Sequence, residues 1–219
     1  MRIQSFLRKL LFYISSKKIT SFLFMKFFLR LNTLTYEIIS VMSITYNNGV
    51  HPKHKILKYK EWFYQNIKKD DVVLDIGSNT GLLPKFLSKK ARHVYGIEIL
   101  YKFFILSKKI ENEKLTFINA DATAFDYKKI KKVSVITLSN VLEHIEDRVN
   151  FLNKIFEKPI FKGNKIKVLI RVPMITRDWL PEFKKQVGVE WRLDKTHYIE
   201  YSIEDFLEEM KKTKLKVVN

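Results

Sequence analysis

Two hydrophobic patterns divide the chain near residue 50. In the first segment, apolar residues recur at the spacing of one helix face, and six positions define that face: Ile3, Phe6, Leu7, Leu10, Leu11 and Ile14. From residue 72 onward, short continuous apolar runs alternate with helical segments, as expected for strands buried on both faces of a parallel sheet. The patterns predict an N-terminal helical segment, residues 1–48, and an α/β domain, residues 49–219.

The apolar runs of the second segment predict five strands, at residues 72–76, 94–99, 115–118, 133–138 and 165–172. Helical segments lie between them, which predicts a doubly wound, mostly parallel sheet with ligands at the carboxyl ends of its strands. After a helix at 202–212, only residues 215–219 remain for a sixth strand. We therefore expect a shortened C-terminal end, with a sheet edge that is exposed or is covered by a partner or by the N-terminal segment.

The chain is strongly basic, with 41 Lys and Arg against 23 Asp and Glu and a net charge of +18. Such a charge suits phosphate groups, in nucleic acid or at an anionic membrane. Only eight of the 41 are arginine, the residue favoured for bidentate phosphate recognition, so a solvated lysine-rich surface explains the charge equally well. The absence of cysteine excludes disulfides, cysteine-ligated metal and a thiol nucleophile.

The first 36 residues contain no acidic residue. A basic amphipathic pattern of this kind is typical of a helix at an anionic membrane surface, here through residues 1–30. Lysines interrupt every apolar run, so none approaches the roughly 20 residues of a bilayer-spanning helix. A helix pair packed over the α/β core and a cleaved targeting peptide are the alternatives. The expected localisation is cytoplasmic, with or without peripheral attachment to the inner face of the membrane.

Polar residues and glycines follow four successive predicted strands. The first strand leads into residues 75–81, Asp-x-Gly-x-Asn-x-Gly, whose glycines permit a tight turn and the close approach of a ligand. Glu98 ends the second strand, where an acid can accept hydrogen bonds from both hydroxyls of a ribose. Asp121 and Asn140 follow the third and fourth strands. All four sites meet at one crevice, and the acidic Asp75 suits an ammonium group better than a pyrophosphate.

The ordered segments VLDIGSNTG, YGIEI, NADA and LSNVLEHIED resemble the class I S-adenosylmethionine-dependent methyltransferases, over about residues 51–212. The resemblance implies a Rossmann-like fold and S-adenosylmethionine as cofactor. It assigns the methionine part to Asp75, Gly77 and Gly81, the ribose to Glu98, the adenine to Asp121 and Ala122, and the cleft beside the sulfonium to Asn140, with Ser78, Asn79 and Ile99 completing the set. A nicotinamide-dependent enzyme and a non-catalytic cofactor-binding protein of the same fold are alternatives.

The family usually builds acceptor recognition after the fifth strand. In this chain the candidate substrate-binding residues there are Arg171, Arg177, Trp179, Trp191, Arg192 and Tyr198. The arginines can clamp a carboxylate or phosphate, and the tryptophans can stack on a sugar. His197 is the best candidate for a catalytic base near neutral pH, with His144 and Asp194 as further catalytic candidates. A capped helix and a loop with surface ion pairs would explain each of these residues separately.

The segment Asn140-x-x-Glu143-His144 resembles the Glu-x-x-Glu-His pattern with which some ubiquinone-pathway O-methyltransferases hold a divalent cation. Because the first acid is Asn140 here, no metal is predicted. The segments HPKH, RVP…RDW and DKTHYIEY together resemble bacterial methyltransferases associated with surface-glycan biosynthesis. We therefore expect O-methylation of a small-molecule, sugar or lipid-linked glycan acceptor. The oligomeric state is not predicted.

Methylation of RNA at the 2′-hydroxyl is the main alternative, prompted by the charge. Other nucleic-acid reactions fit less well. The fourth strand leads into Ser-Asn-Val-Leu rather than the Asn/Asp-Pro-Pro-Tyr/Phe motif that methylation of base amino groups suggests. C5 methylation through a cysteine adduct is excluded by composition. A nucleic-acid partner is therefore less expected than a small-molecule or glycan-type acceptor.

Overall fold

A computed structural model describes residues 2–130, 132–157 and 165–218. These residues form two compact units. The helical unit comprises the described residues up to Leu57 together with Ile175–Arg192, and the sheet unit comprises the described residues from Lys58 to Met174 and from Leu193 onward. The chain therefore leaves the sheet unit after its fifth strand, contributes a segment to the helical unit, and returns.

The helices and strands follow the order predicted from the hydrophobic pattern. The helices are α1 (Arg2–Ser15), α2 (Lys18–Tyr46), α3 (Lys53–Ile56), α4 (Tyr59–Gln65), α5 (Leu82–Leu87), α6 (Tyr101–Lys108), α7 (Arg148–Glu157), α8 (Trp179–Gln186) and α9 (Ile203–Lys211). The strands are β1 (Val72–Ile76), β2 (His93–Glu98), β3 (Leu115–Asn119), β4 (Val135–Ser139) and β5 (Lys167–Arg171).

The five strands form one parallel sheet in the order β3-β2-β1-β4-β5. Strand β1 lies at the centre, and the order reverses direction between β1 and β4. Doubly wound sheets bind their ligands at such a point, beyond the carboxyl ends of the strands. The predicted Rossmann-like, doubly wound sheet is confirmed.

Alternate residues of the central strand pack on opposite faces of the sheet. Leu74 and Ile76 belong to one apolar cluster, with Ile136 and Leu152, while Val73 belongs to a second cluster on the other face. Because both faces are covered, the strand has no polar face, which explains why all of its residues except Asp75 are apolar. Each such buried side chain stabilises the fold by about 1.5–3 kcal/mol.

The helical unit contains the two long N-terminal helices, α1 and α2, and the segment with α8. The Nζ atom of Lys184 in α8 donates to the side-chain oxygens of Asn32 and Thr33 in α2, at 2.9 and 3.0 Å. Many apolar side chains of α1 and α2 are exposed, among them Phe6 and Leu23. None of the helices in the described part of the chain is both long and apolar enough to cross a membrane.

One local expectation is wrong. The predicted sixth strand is absent from the described residues: 215–218 form no strand, and Val218 is largely exposed. An extended segment becomes a strand only when its backbone pairs with a neighbour, and this segment instead follows α9 through a turn in which Leu215 N–H donates to Thr213 Oγ1.

The short helix α3 begins directly after Pro52. The fixed φ of proline favours a helix start at this point.

Candidate active site

The turn between β1 and α5 has the backbone conformation that its glycines predict. Gly77 and Gly81 have φ values of 74° and 80°. A Cβ atom at Gly77 would lie 2.6 Å from Cγ2 of Val141, and one at Gly81 would lie 2.6 Å from Cζ of Phe117. Asn79, the third residue with positive φ in the turn, is at 50°. Both glycines are therefore required for this turn, on grounds of conformation and of space.

Glu98 ends β2 and connects the first two strand ends. Its side chain is buried. Oε2 accepts a hydrogen bond from Asn79 N–H at 2.7 Å, and Oε1 accepts one from Leu100 N–H at 2.8 Å. A carboxylate has about four acceptor sites, so each oxygen keeps one for a ligand hydroxyl. The two oxygens fit the adjacent hydroxyls of a ribose.

Asp75 lies at the carboxyl end of β1 and is buried. Burial raises the pKa of its carboxyl to about 7, the hydrogen bond from Thr137 lowers it, and the nearby charge of Glu98 raises it. The hydroxyl of Thr137 donates to Oδ1 at 2.5 Å. Sequence reasoning missed Thr137, although a hydroxyl within the apolar run of β4 was a signal. Ser78 adds a buried hydroxyl without a hydrogen-bond partner among the described residues.

The raised pKa of Asp75 makes stability depend on pH. The ordinary pKa is 3.8 and the folded value about 7, so its contribution to stability is fully present below about pH 4 and is lost as pH rises through 7. The side chain in Asp75→Asn does not ionise, so this variant does not lose stability as pH rises, and its amide oxygen still accepts the hydrogen bond from Thr137. We expect it to be more stable than the wild type at pH 8, by up to about 4 kcal/mol, with the difference shrinking towards pH 4.5. Thermal melting across this range measures the effect. The exposed Asp70→Asn is the matched control, and a constant difference at every pH would contradict the prediction.

The residues predicted for the adenine lie beyond β2 and β3. Asp121 is exposed, and its Oδ1 accepts from the backbone N–H and the hydroxyl of Thr123, at 2.8 and 2.7 Å. The carbonyl of Ala122 accepts from the buried Tyr127 hydroxyl at 2.8 Å. Ile99 is 60% exposed although it directly follows a buried strand. An exposed apolar side chain directly after Glu98 suits contact with the nucleoside part of a ligand.

Asn140 follows β4 with a positive φ of 59° and is held by the neighbouring strand. Its N–H donates to the carbonyl of Arg171 at 2.8 Å, and Nη1 of Arg171 donates to its Oδ1 at 2.7 Å. The guanidinium of Arg171 also lies 4.5 Å from the ring centroid of Tyr59, a residue that the sequence did not indicate. Burial lowers the pKa of Arg171. Arg171 therefore orients Asn140 at the end of the sheet.

Three titratable side chains lie together after β4. Glu143, His144 and His197 place one possible ligand atom each within 4.8 Å of one another. The rings of the two histidines have centroids 4.7 Å apart. Burial raises the pKa of Glu143 to about 7, with His197 and Arg171 opposing the rise. Burial also lowers the pKa of His144, with His197 adding to the effect, which favours its neutral form.

Two acidic residues orient these histidines. Thr196 donates its hydroxyl hydrogen to Asp194 at 2.8 Å, and its oxygen lies 2.9 Å from Nδ1 of His144. Hydrogen bonds from Thr196 hold the pKa of Asp194 below its usual range. Nδ1 of His197 lies 3.1 Å from Oε1 of Glu200. The three predicted catalytic residues are thus brought together, with Glu143, Thr196 and Glu200 as members that the sequence analysis did not assign.

The predicted substrate-binding residues divide between the two units. Arg171 and Tyr198 lie in the sheet unit, and Arg177, Trp179, Trp191 and Arg192 lie in the helical unit. Within the helical unit, Arg177 donates to the carbonyl of Trp191 at 3.3 Å, and Arg192 forms an ion pair with Glu190 at 2.9 Å. Trp179 is 70% exposed. The roles of these residues stay predictions.

A largely apolar pocket of about 360 Å³ lies within the sheet unit. Its walls come from α4, α9 and the carboxyl end of β5, including Trp62, Met174 and Phe206. Arg171 and Tyr59 supply its polar groups. The pocket therefore adjoins the side chain that holds Asn140.

Comparison with known proteins relates the central part of the chain to a described family. A family described as "Methyltransferase domain" matches residues 74–157. The chain is 35% identical over 97 residues to a probable ribosomal RNA small subunit methyltransferase A of Pyrococcus furiosus, covering 43% of this chain and 34% of that protein. An uncharacterized protein of Methanocaldococcus jannaschii is 29% identical over 115 residues, covering 51% of this chain and 44% of that protein. The chain thus spans less than half the length of either relative.

A solved structure shares the fold at low identity. Magnesium protoporphyrin IX methyltransferase from Synechocystis, crystallised with bound SAH, superposes with a TM-score of 0.53 and 16% identity, over 73% of this chain and 71% of that one. The sheet order and the matched domain are those of the class I S-adenosylmethionine-dependent methyltransferases. Residues 74–157 are a methyltransferase domain of this class. The predicted class, α/β fold and S-adenosylmethionine cofactor are confirmed for this domain.

The residues of the crevice fit this cofactor. Glu98 has acceptor sites left for two hydroxyls, and the buried hydroxyl of Ser78 has no hydrogen-bond partner among the described residues. A nucleoside with a polar tail supplies the groups that both side chains require.

Proposed function

We propose that the protein methylates a hydroxyl group of a small-molecule, sugar or lipid-linked glycan acceptor. The observation that carries this proposal is the cluster of Glu143, His144 and His197 beyond β4, in the same unit as Asn140. A hydroxyl keeps its proton at neutral pH, so its methylation gains from a group that removes this proton. A neutral imidazole is suited to that task.

The cofactor-binding residues proposed from the sequence lie at four successive strand ends. Asp75, Gly77, Ser78, Asn79 and Gly81 would hold the methionine part, Glu98 and Ile99 the ribose and its surroundings, Asp121 and Ala122 the adenine, and Asn140 the cleft. When bound, S-adenosylmethionine supplies a methyl group on a sulfonium: the S–CH3 bond breaks, an O–CH3 bond forms, and the acceptor hydroxyl releases one proton. The protein mainly has to position the acceptor and take this proton.

The catalytic candidates have separate tasks. His144 and His197 are the candidate proton acceptors, since each has its Nδ1 atom directed at a polar partner and presents Nε2 as the other ring nitrogen. Asp194 acts through Thr196 and is a positioning residue for His144. Arg171 and the apolar pocket beside it favour an acceptor that combines an apolar part with polar groups, as a lipid-linked sugar does.

The formation of S-adenosylhomocysteine tests this proposal. The protein is incubated with S-adenosylmethionine and, separately, with free sugars, nucleotide sugars, lipid-linked oligosaccharides and ribosomal RNA. We expect release of S-adenosylhomocysteine with a hydroxyl-bearing sugar or lipid-linked acceptor and a methyl ether in the product. Transfer to RNA alone would contradict the proposal.

RNA 2′-hydroxyl methylation is the second candidate, and a specific observation favours it. The chain carries a net charge of +18, and the similar protein of Pyrococcus furiosus is named as a probable ribosomal RNA methyltransferase. Binding to RNA through phosphate contacts weakens steeply with salt. Retention on RNA that falls with salt, together with methylated RNA in the assay above, would establish this alternative.

We also propose that α1 and the start of α2 attach the protein to an anionic membrane surface. Phe6, Leu7 and Leu10 form an exposed apolar face of α1, and Arg8 and Lys9 are exposed beside it. Apolar side chains at this density insert into the headgroup region, and each basic residue near an anionic surface adds about 1 kcal/mol.

Sedimentation with vesicles tests the attachment. We expect the full chain to pellet with vesicles that contain phosphatidylglycerol and not with pure phosphatidylcholine. The double variant Phe6→Ser/Leu10→Ser should lose most of this binding, whereas Phe103→Ser, which changes a phenylalanine in the sheet unit, should keep it. Equal pelleting of both variants would overturn the attachment through α1.

A further inference from the structure

We propose that Glu143, His144 and His197 bind one divalent transition-metal ion. Their candidate ligand atoms lie within 4.8 Å of one another. Nitrogen and oxygen ligands stand about 2.0–2.2 Å from such an ion, which places them roughly 3–4 Å apart. Small side-chain rotations therefore bring the three atoms to coordination distance.

The carboxylate of Glu143 gives a second, independent observation. The residue is fully buried, and neither side-chain oxygen accepts a hydrogen bond from another described residue. A buried carboxylate to which no other residue donates a hydrogen bond is costly, and proteins normally pair such a group or let it coordinate a cation. A metal ion bound to Glu143 would satisfy these oxygens.

The surroundings of both histidines match those of metal ligands. A ligating histidine usually directs its second ring nitrogen at a carboxylate or another fixed acceptor, which sets the tautomer. His197 directs Nδ1 at Glu200, 3.1 Å away. His144 directs Nδ1 at the Thr196 oxygen, 2.9 Å away, and the hydrogen of that hydroxyl goes to Asp194. With a hydrogen on Nδ1, the metal-binding lone pair of each ring would be the one on Nε2.

The ligand types select the class of ion. Two imidazoles and one carboxylate suit zinc, manganese or iron(II), whereas magnesium and calcium prefer oxygen ligands alone. Three protein ligands leave positions for further ligands. The sequence predicted no metal, because Asn140 replaces the first acid of the resembled pattern. His197 lies 54 positions beyond Glu143, and no local pattern relates the two residues.

The role of the ion in catalysis rests on the proposed function. An acceptor hydroxyl at an open position would have its pKa lowered by the cation. The ion would thereby favour loss of the hydroxyl proton to solvent water, with the electron pair of the O–H bond left on the oxygen. With the ion bound, His144 and His197 would be ligands rather than proton acceptors.

Metal binding is measured directly on the full chain without an affinity tag, after removal of metal with a chelator. Manganese(II) and zinc(II) are titrated by calorimetry, and bound metal is determined by elemental analysis after dialysis. We expect one ion per chain and no comparable binding of magnesium. Glu143→Gln and His197→Ala should each weaken binding at least about 100-fold, because each removes a ligand itself rather than a supporting partner.

The control variant removes an imidazole elsewhere in the same unit. His93→Gln changes the amino end of β2, where the ring contacts Thr116, and should leave metal binding unchanged. If Glu143→Gln does not fold, Glu143→Asp replaces it in the titration. This variant retains a carboxylate, so it should bind the metal more weakly than the wild type, whereas His197→Ala should lack this binding. Absence of a stoichiometric ion in the wild type, or equal affinity in all variants, overturns the inference.

The same samples separate this inference from the proposed function. Binding of S-adenosylhomocysteine is titrated in parallel. If the cofactor product binds and metal does not, the metal site is wrong and the methyltransferase proposal stands. If neither binds to folded protein, the proposed function fails as well.

Discussion

Glu98→Gln is expected to lower the affinity for S-adenosylhomocysteine at least about 100-fold. The wild-type carboxylate can accept hydrogen bonds from two ribose hydroxyls while holding the N–H groups of Asn79 and Leu100. The amide presents NH2 where one of these oxygens stood, so it faces donors with a donor. Hydrogen bonds to a charged group contribute about 1.5–3 kcal/mol each, and the substitution affects several of them.

Thermal melting with and without ligand measures this effect. At a concentration 100 times the dissociation constant, a ligand stabilises the folded protein by about 2.7 kcal/mol, which raises the Tm of a protein of this size by roughly 5–10 °C. We expect this rise for the wild type and for the control Glu113→Gln, an exposed glutamate, and none for Glu98→Gln. An equal rise in all three would remove Glu98 from the cofactor site.

His197→Asn is expected to lower kcat by about 100- to 10,000-fold, the usual contribution of a group that activates a hydroxyl. We expect this decrease in kcat whether the imidazole takes the proton itself or holds a cation that lowers the pKa of the hydroxyl. The affinity for S-adenosylhomocysteine should not change, because His197 is not among the residues proposed to hold the cofactor. The rate of S-adenosylhomocysteine release, with the best acceptor from the screen, gives kcat.

A purely structural role for His197 predicts a different outcome. The residue is buried and paired with Glu200, so its loss will also lower stability. The measurement is therefore made well below the Tm of each variant. His93→Gln serves as the control for removal of a half-buried imidazole ring and should keep kcat within about threefold. A His197 variant with normal kcat would show that the cluster beyond β4 does not activate the acceptor.

The parallel sheet, the turn after β1 and the position of Glu98 were predictable because local sequence determines them. A strand buried on both faces needs mostly apolar residues, and the segment at 72–76, apolar except for Asp75, matches β1 at both ends. The turn after it needs left-handed backbone, which requires glycine at 77 and 81. Glu98 was identified because it directly ends a strand, where its position in the crevice follows from topology alone.

The support of Asp75 and the cluster around His197 depend on contacts between segments that are distant in the sequence. Thr137 supports Asp75 across 62 positions, and Glu143 meets His197 across 54. No periodicity relates such residues, so the sequence indicated His197 without its partners. The sixth strand failed for a similar reason, since residues 215–218 have strand-forming side chains but no neighbouring strand with which to pair.

The organisation of the chain around α8 was also not predictable. Ile175–Arg192, after β5, forms a compact unit with the N-terminal helices. A buried lysine, Lys184, hydrogen-bonds to Asn32 and Thr33 more than 150 positions earlier. The basic charge of a lysine on an amphipathic helix gave no signal of this contact.

Direct titration of the full chain with S-adenosylmethionine tests the central claim most directly. The account predicts binding of one molecule per chain with a dissociation constant in the micromolar range, and competition by S-adenosylhomocysteine. Cooperatively folded protein that gives no binding heat with either compound would contradict the claim that this crevice is the cofactor site of a methyltransferase.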